Sequence, residues 1–125
     1  MLSGKDAVAT VAVRELDAAR RFYEGTLGLK VAGTEGEELI AFESGGGKLF
    51  VYRSQFARTN RATAVTWVVG NEVDAIVRTL KAKGVAFEHY DLPGMVREGD
   101  VHVAGGIRAA WFKDPDGNIL SIVNG

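Results

Sequence analysis

Two stretches of this chain repeat one order of elements, and that repetition restricts the fold more than any single motif does. In the first, the β-branched run Ala7 to Val13 predicts a strand buried on both faces, and Leu16, Ala19, Tyr23 and Leu27 then recur at helical spacing. Glu15 is placed to cap that helix, and Gly28 stands where a left-handed C-terminal residue is expected. Three further strands are predicted over Leu29 to Gly33, Glu38 to Glu43 and Lys48 to Arg53, separated by glycines. In the second stretch a strand over Ala64 to Val69 precedes a helix. Asn71 is its expected cap, Val73, Ile76, Val77 and Leu80 form its apolar stripe, and Gly84 its stop. A strand over Val85 to Tyr90 follows. After a long interruption from Asp91 to Gly106, Ala109 to Lys113 and Ile119 to Val123 form a hairpin.

Aligning Leu16 with Val73 and Gly28 with Gly84 makes these stretches two copies of a β-α-β-β-β unit, related by element order rather than by residue identity. The expected class is α+β: two β-α-β-β-β modules with curved mixed sheets and helices outside, in a single domain of residues 1–125. Module one spans about residues 5–53, a linker about 54–62, and module two about 63–125. One helix covers one face of a four-stranded sheet, so the opposite face of each sheet is where function is expected.

The turn in the last hairpin, Asp114-Pro115-Asp116-Gly117, has Asp at its first position, Pro where φ near about −65° is wanted and Gly at a left-handed position. Carboxylates at such turns bond their own backbone, so this one is read as structural. Fifteen basic and sixteen acidic residues leave a net charge of −1, without the footprint expected of a nucleic-acid or anionic-membrane partner. A small molecule is the expected partner. With no cysteine, thiolate zinc sites, disulfides and Cys nucleophiles are excluded. No run approaches the roughly 20 apolar residues of a membrane span, and the N-terminus lacks a signal-peptide pattern, so a cytoplasmic location is expected.

Phe22-Tyr23-Glu24-Gly25-Thr26-Leu27-Gly28-Leu29 together with Asp114-Pro115-Asp116-Gly117-Asn118 resembles the vicinal oxygen chelate superfamily, which contains glyoxalases, bleomycin-resistance proteins and extradiol dioxygenases. The resemblance covers the whole chain. It implies a cup-like half barrel, commonly completed in a homodimer, and in the family's enzymes a divalent metal held by His, Gln or Glu from both modules. Carried onto this sequence, the family's ligand positions fall on Val8, Phe50, Ala64 or Val65, and Ser121. Valine, alanine and phenylalanine offer no donor atom, and a serine hydroxyl replaces a carboxylate poorly. No metal and no other cofactor is therefore expected, and the likeness is drawn to the superfamily's metal-free members.

Strand alternation sets Thr10 with Val8 and Tyr52 with Phe50 on the cup side, and leaves Leu49, Val51 and Phe112 under the helices. Trp111 and Lys113 oppose Phe112, and Ile119 and Val123 flank Ser121. Trp67 falls on the helix side, or in the cup after a one-residue shift. The ligand-binding residues expected are thus Val8, Thr10, Phe50, Tyr52, Trp111 and Ser121, lining a pocket for a neutral flat molecule such as an antibiotic or metabolite. Of the two histidines, His89 is expected to be a packing residue. His102 is the candidate catalytic or ligand-binding one, with Asp100 two residues earlier on the same strand face to raise its pKa. The leading expectation is a metal-independent binding protein. The alternatives are a metal-free lyase, isomerase or hydrolase using His102, with Tyr52 or Ser121 orienting the substrate, or a metal enzyme with non-standard ligands.

Overall fold

The computed structural model describes residues 1–125. Met1–Thr59 and Asn60–Gly125 form two compact units. In the first, strands β1 (Ala9–Val13), β2 (Lys30–Glu35), β3 (Leu39–Ser44) and β4 (Gly47–Arg53) make a sheet of order β1-β4-β3-β2, with β1 parallel to β4 and the other pairs antiparallel. Helix α1 (Leu16–Arg20) runs on without a break into a π-helical segment over Arg21–Thr26. The widened turn closes where Leu27 N–H donates to Phe22 O at 2.9 Å. Leu29 N–H then reaches back to Tyr23 O at 3.0 Å, and Gly28 takes φ +77° between them, the left-handed stop that its position predicts.

The second unit has β5 (Thr63–Val68), α2 (Val73–Ala82), β6 (Phe87–Glu88), β7 (Val96–Glu98), β8 (Val101–Ala104), β9 (Ile107–Lys113) and β10 (Ile119–Val123). Its sheet order is β5-β10-β9-β8-β7, with β6 also paired to β9. Helix α2 ends as α1 does: Val85 N–H donates to Leu80 O at 3.0 Å while Gly84 sits at φ +92°. In both units, then, β-α-β-β-β is the frame.

Each sheet has one face packed under its helix. In the first unit Val11, Val13, Ile40, Phe42, Leu49 and Val51 are buried there, with the Tyr23 ring 5.8 Å from that of Phe42. In the second, Phe112, Leu120 and Ile122 are buried together with Val73, Val77 and Leu80 of α2. Ile122 is in register with Trp67, which places Trp67 on the helix side.

Several expectations need correction. The first strand is shorter than predicted and not buried on both faces: Val11 and Val13 are buried, but Thr10 is exposed and Ala12 only half-buried, because α1 covers one face only. Neither Glu15 nor Asn71 caps a helix with its side chain. Glu15 makes no such bond, and a 3₁₀ turn over Gly70–Glu72 leads into α2 instead. The predicted strand Val85 to Tyr90 contracts to Phe87–Glu88. The interruption after it holds the β7–β8 hairpin, whose two-residue loop is Gly99-Asp100 with Gly99 at φ +65°.

The hairpin between β9 and β10 is held by Asp114. Its Oδ1 accepts from the backbone N–H groups of Asp116 and Asn118, both at 2.9 Å, and its Oδ2 from the Asn118 amide at 2.8 Å. Asp114, Asp116 and Asn118 are all buried, and Gly117 lies at φ +79°. A carboxylate with its oxygens committed in this way has the structural role expected of it.

Candidate functional site

The faces turned away from the helices carry the predicted residues, and each unit is built differently. In the first unit Thr10 is in register with Phe50, Phe50 with Ala41, and Tyr52 with both Ala12 and Leu39, so these side chains share the uncovered face. Phe50 is half-buried and Tyr52 exposed. Val8, half-buried, lies one residue before β1, and the Thr10 hydroxyl donates to its carbonyl at 3.3 Å. Phe50, Ala41, Ala12 and Leu39 form an apolar stretch of this face, and Lys48, Glu43 and Lys30, in register with one another, stand exposed beside it. The unit's clefts lie elsewhere. One of about 440 Å³ is lined by Arg14, Glu15, Asp17, Arg20, Glu37 and Arg53 among others, and none of the predicted residues reaches it.

The second unit brings more chemistry together. Ser121 is in register with Trp111 on one side and Thr66 on the other, and the Ser121 and Thr66 hydroxyls are 2.7 Å apart. His102 pairs with Ala109, two residues from Trp111, so alternation puts its ring on the same face as Trp111 and Ser121. The imidazole meets the Trp111 ring edge-on, with centroids 4.9 Å apart and planes at 86°. A third ring, Tyr90, stands 5.5 Å from Trp111 and 6.0 Å from His102. Beside them Lys113 and Glu88 pair at 3.2 Å. Burial raises the Tyr90 hydroxyl above its ordinary pKa; Glu88 adds to this and Lys113 opposes it.

His102 is wholly buried, and its Nε2 accepts the Tyr90 backbone N–H at 2.9 Å. That bond fixes the neutral tautomer with the proton on Nδ1. The expected partnership with Asp100 does not form. Asp100 ends the β7–β8 turn and bonds Lys81 at 2.7 Å and His89 at 2.8 Å, and these two partners lower its pKa, Lys81 the more. Two residues along the strand direction are not two on one face here, because Asp100 belongs to the turn and only His102 to β8. His89 is likewise not a packing residue. It is exposed past the end of β6, with Arg97 donating to its Nδ1 at 3.0 Å.

Sequence reasoning passed over Tyr90, and no signal short of strand register identifies it. Its neighbours Glu88 and Trp111 pair across β6 and β9, and only that pairing brings the ring to His102. At the positions where the resemblance sets the family's metal ligands, Val8, Phe50, and Ala64 or Val65 carry no donor atom, and the Ser121 hydroxyl is engaged with Thr66. No group of three or more His, Cys, Asp or Glu side chains lies close enough to hold a metal ion. The residues present do not fit the divalent ion of the family's enzymes.

No helix is long and apolar enough to cross a membrane. No curated protein matches the chain at a significant level. Among solved structures, a fosfomycin resistance protein FosX variant from Listeria monocytogenes, complexed with Mn(II) and 1S,2S-dihydroxypropylphosphonic acid, superposes with a TM-score of 0.74 at 20% identity. That match covers 100% of this chain and 92% of the other. Lactoylglutathione lyase from Agrobacterium tumefaciens gives 0.73 at 19% identity, over 98% and 95% of the two chains. A glyoxalase/bleomycin resistance protein/dioxygenase from Alicyclobacillus acidocaldarius gives 0.72 at 22% identity, over 98% and 93%. At such identities the likeness is one of fold. Residues 6–122 match the model of the Glyoxalase/Bleomycin resistance protein/Dioxygenase superfamily, and the chain belongs to that superfamily.

Proposed function

We propose that this protein binds a neutral, flat, aromatic or hydrophobic small molecule without a metal ion and without chemistry at a metal centre. The observation that carries this reading is the replacement of the ligand set. Where the superfamily's enzymes place imidazole and carboxylate, this chain has Val8, Phe50, Ala64 or Val65, and a Ser121 hydroxyl bonded to Thr66. A neutral hydroxyl pair cannot supply the charge that holds a divalent cation. What stands on the uncovered sheet faces instead is aromatic: Phe50 and Tyr52 in the first unit, Tyr90 and Trp111 around His102 in the second. Such rings contribute large contact areas at little entropic cost and favour planar partners.

The net charge of −1 supports a neutral ligand over a strongly cationic drug. Catalysis by His102 as a proton-transfer group finds little support, since Nε2 is occupied by the Tyr90 amide and no carboxylate faces the ring through Asp100. A homodimer in the cytoplasm forms part of the proposal. It is supported by large apolar side chains left exposed, among them Phe56 in the first unit and Val68 in the second.

Titration with a panel of flat neutral aromatics, read by tryptophan fluorescence, tests the proposal. The expected result is saturable quenching by at least one compound, because Trp111 stands on the proposed binding face. No response across the panel would remove the aromatic-binding reading.

A further inference from the structure

Two polar atoms on the face of the second unit turned away from α2 are buried without a hydrogen-bond partner: His102 Nδ1 and the Tyr90 hydroxyl. Unpaired groups of this kind are costly and uncommon in folded proteins. Their chemistry is defined by their neighbours. The Tyr90 amide occupies the Nε2 lone pair of His102, so Nδ1 carries the proton and can act only as a donor. The Tyr90 hydroxyl, its pKa raised chiefly by burial, keeps its proton and also has one to donate. Trp111 lies edge-on to both rings, 4.9 Å from that of His102 and 5.5 Å from that of Tyr90, and is itself only half-buried.

We propose that the ligand of this face carries a neutral oxygen acceptor, a carbonyl, which receives the Nδ1–H of His102 and the hydroxyl proton of Tyr90 while its ring system packs on Trp111. This rests on the binding reading above and specifies its ligand class. A carbonyl oxygen has two lone pairs, one for each donor. A carboxylate is the poorer match: both donors are neutral, the nearby Lys113 charge is already paired with Glu88, and a buried anion without a counter-charge is strongly disfavoured. A ligand offering only donors would leave Nδ1–H unpaired. Both atoms are covered in the free protein, so the ligand displaces what covers them as it enters, and pairing of the two donors offsets the cost of that opening.

The test uses a matched pair of probes, 2-acetylnaphthalene and 2-ethylnaphthalene, which share the flat ring and differ in the carbonyl. The wild-type protein is expected to bind the ketone about tenfold more tightly, about threefold for each of the two hydrogen bonds. In His102→Phe the ratio should fall to about three, the share left to the Tyr90 hydroxyl. Tyr90→Phe, which removes one hydroxyl and no backbone contact, should lower it about threefold and keeps the test available if the histidine variant does not fold. Long-range proton–nitrogen NMR provides the second reading: His102 should carry its proton on Nδ1, and that resonance should move on addition of the ketone and not of the hydrocarbon. Equal binding of both probes by the wild type would overturn the inference while leaving the aromatic-binding reading in place. A ratio unchanged in both variants would do the same, as would an Nδ1–H signal indifferent to bound ketone, the result expected if only water meets that atom. Failure of both probes to bind would count against both readings.

Discussion

Replacing Asp114 with Ala is expected to destabilise the second unit by about 3 kcal/mol, taking roughly 1 kcal/mol for each of the three hydrogen bonds its carboxylate accepts. The penalty is this large because the donors left behind are buried. The Asp116 and Asn118 backbone N–H groups and the Asn118 amide would lose their acceptor where little water reaches them, Asp116 and Asn118 being only 4% exposed. In urea unfolding the midpoint should fall by roughly 1–3 M at an unchanged slope, given the slopes usual for small proteins. A loss below about 1 kcal/mol would mean that the β9–β10 turn holds itself by its backbone alone, through Gly117 N–H to Asp114 O and Asp114 N–H to Asn118 O, both at 3.0 Å. Asp114→Asn refines the result. It keeps one acceptor oxygen and sets an amide donor against the Asn118 amide, so it should lie between the wild type and Asp114→Ala.

Trp111→Ala is expected to weaken binding of a flat aromatic ligand about 30-fold, or roughly 2 kcal/mol, by removing the ring on the uncovered face that contacts both His102 and Tyr90. Trp111→Phe keeps an aromatic and should restore most of the affinity. Fluorescence then distinguishes the two tryptophans. Trp67 is in register with Ile122 on the helix side, so Trp67→Phe should retain ligand quenching and Trp111→Phe should lose it. Quenching retained in Trp111→Phe and lost in Trp67→Phe would assign the ligand to the other face of the sheet.

The parts of the fold legible in the sequence are those set by local physics. Gly28 and Gly84 are readable as helix stops because a left-handed residue is strained for any side chain, and in both helices the residue after the glycine bonds back into the last turn, across six residues at Leu29 and five at Val85. Leu49, Val51 and Phe112 are readable as buried because strand alternation leaves one choice once the helix side is set, whereas Trp67 is left open by alternation and is placed by its register with Ile122. The hairpin of β7 and β8 was not readable from hydrophobic pattern: Val96, Arg97 and Glu98 are all exposed, so no apolar period marks that strand. Its one local signal is the Gly99-Asp100 pair, a two-residue turn of the kind that favours hairpins.

The candidate site divides along the same line. Phe50, Tyr52, Thr10, Trp111 and Ser121 fall on the faces turned away from the helices as alternation requires. Their partners are long-range and leave no trace in spacing: Ser121 with Thr66, His102 with the Tyr90 amide, Asp100 with Lys81. The Asp100–His102 pairing expected from a separation of two assumed one continuous strand, and the turn between β7 and β8 breaks that assumption. The Asp100–His102 contact inferred from sequence separation alone is absent here for a geometric reason.

The measurement bearing most directly on metal-independent binding is the affinity for a flat aromatic ligand in protein freed of metal by a chelator, set beside that in protein supplied with Mn(II), with the metal content of the untreated protein determined in parallel. The account predicts the same Kd in both samples and no stoichiometric metal, because Val8, Phe50, Ala64, Val65 and the Thr66-bonded Ser121 offer a divalent ion no adequate donor set. About one tightly held divalent ion per chain, with binding lost on its removal and recovered on its return, would contradict it.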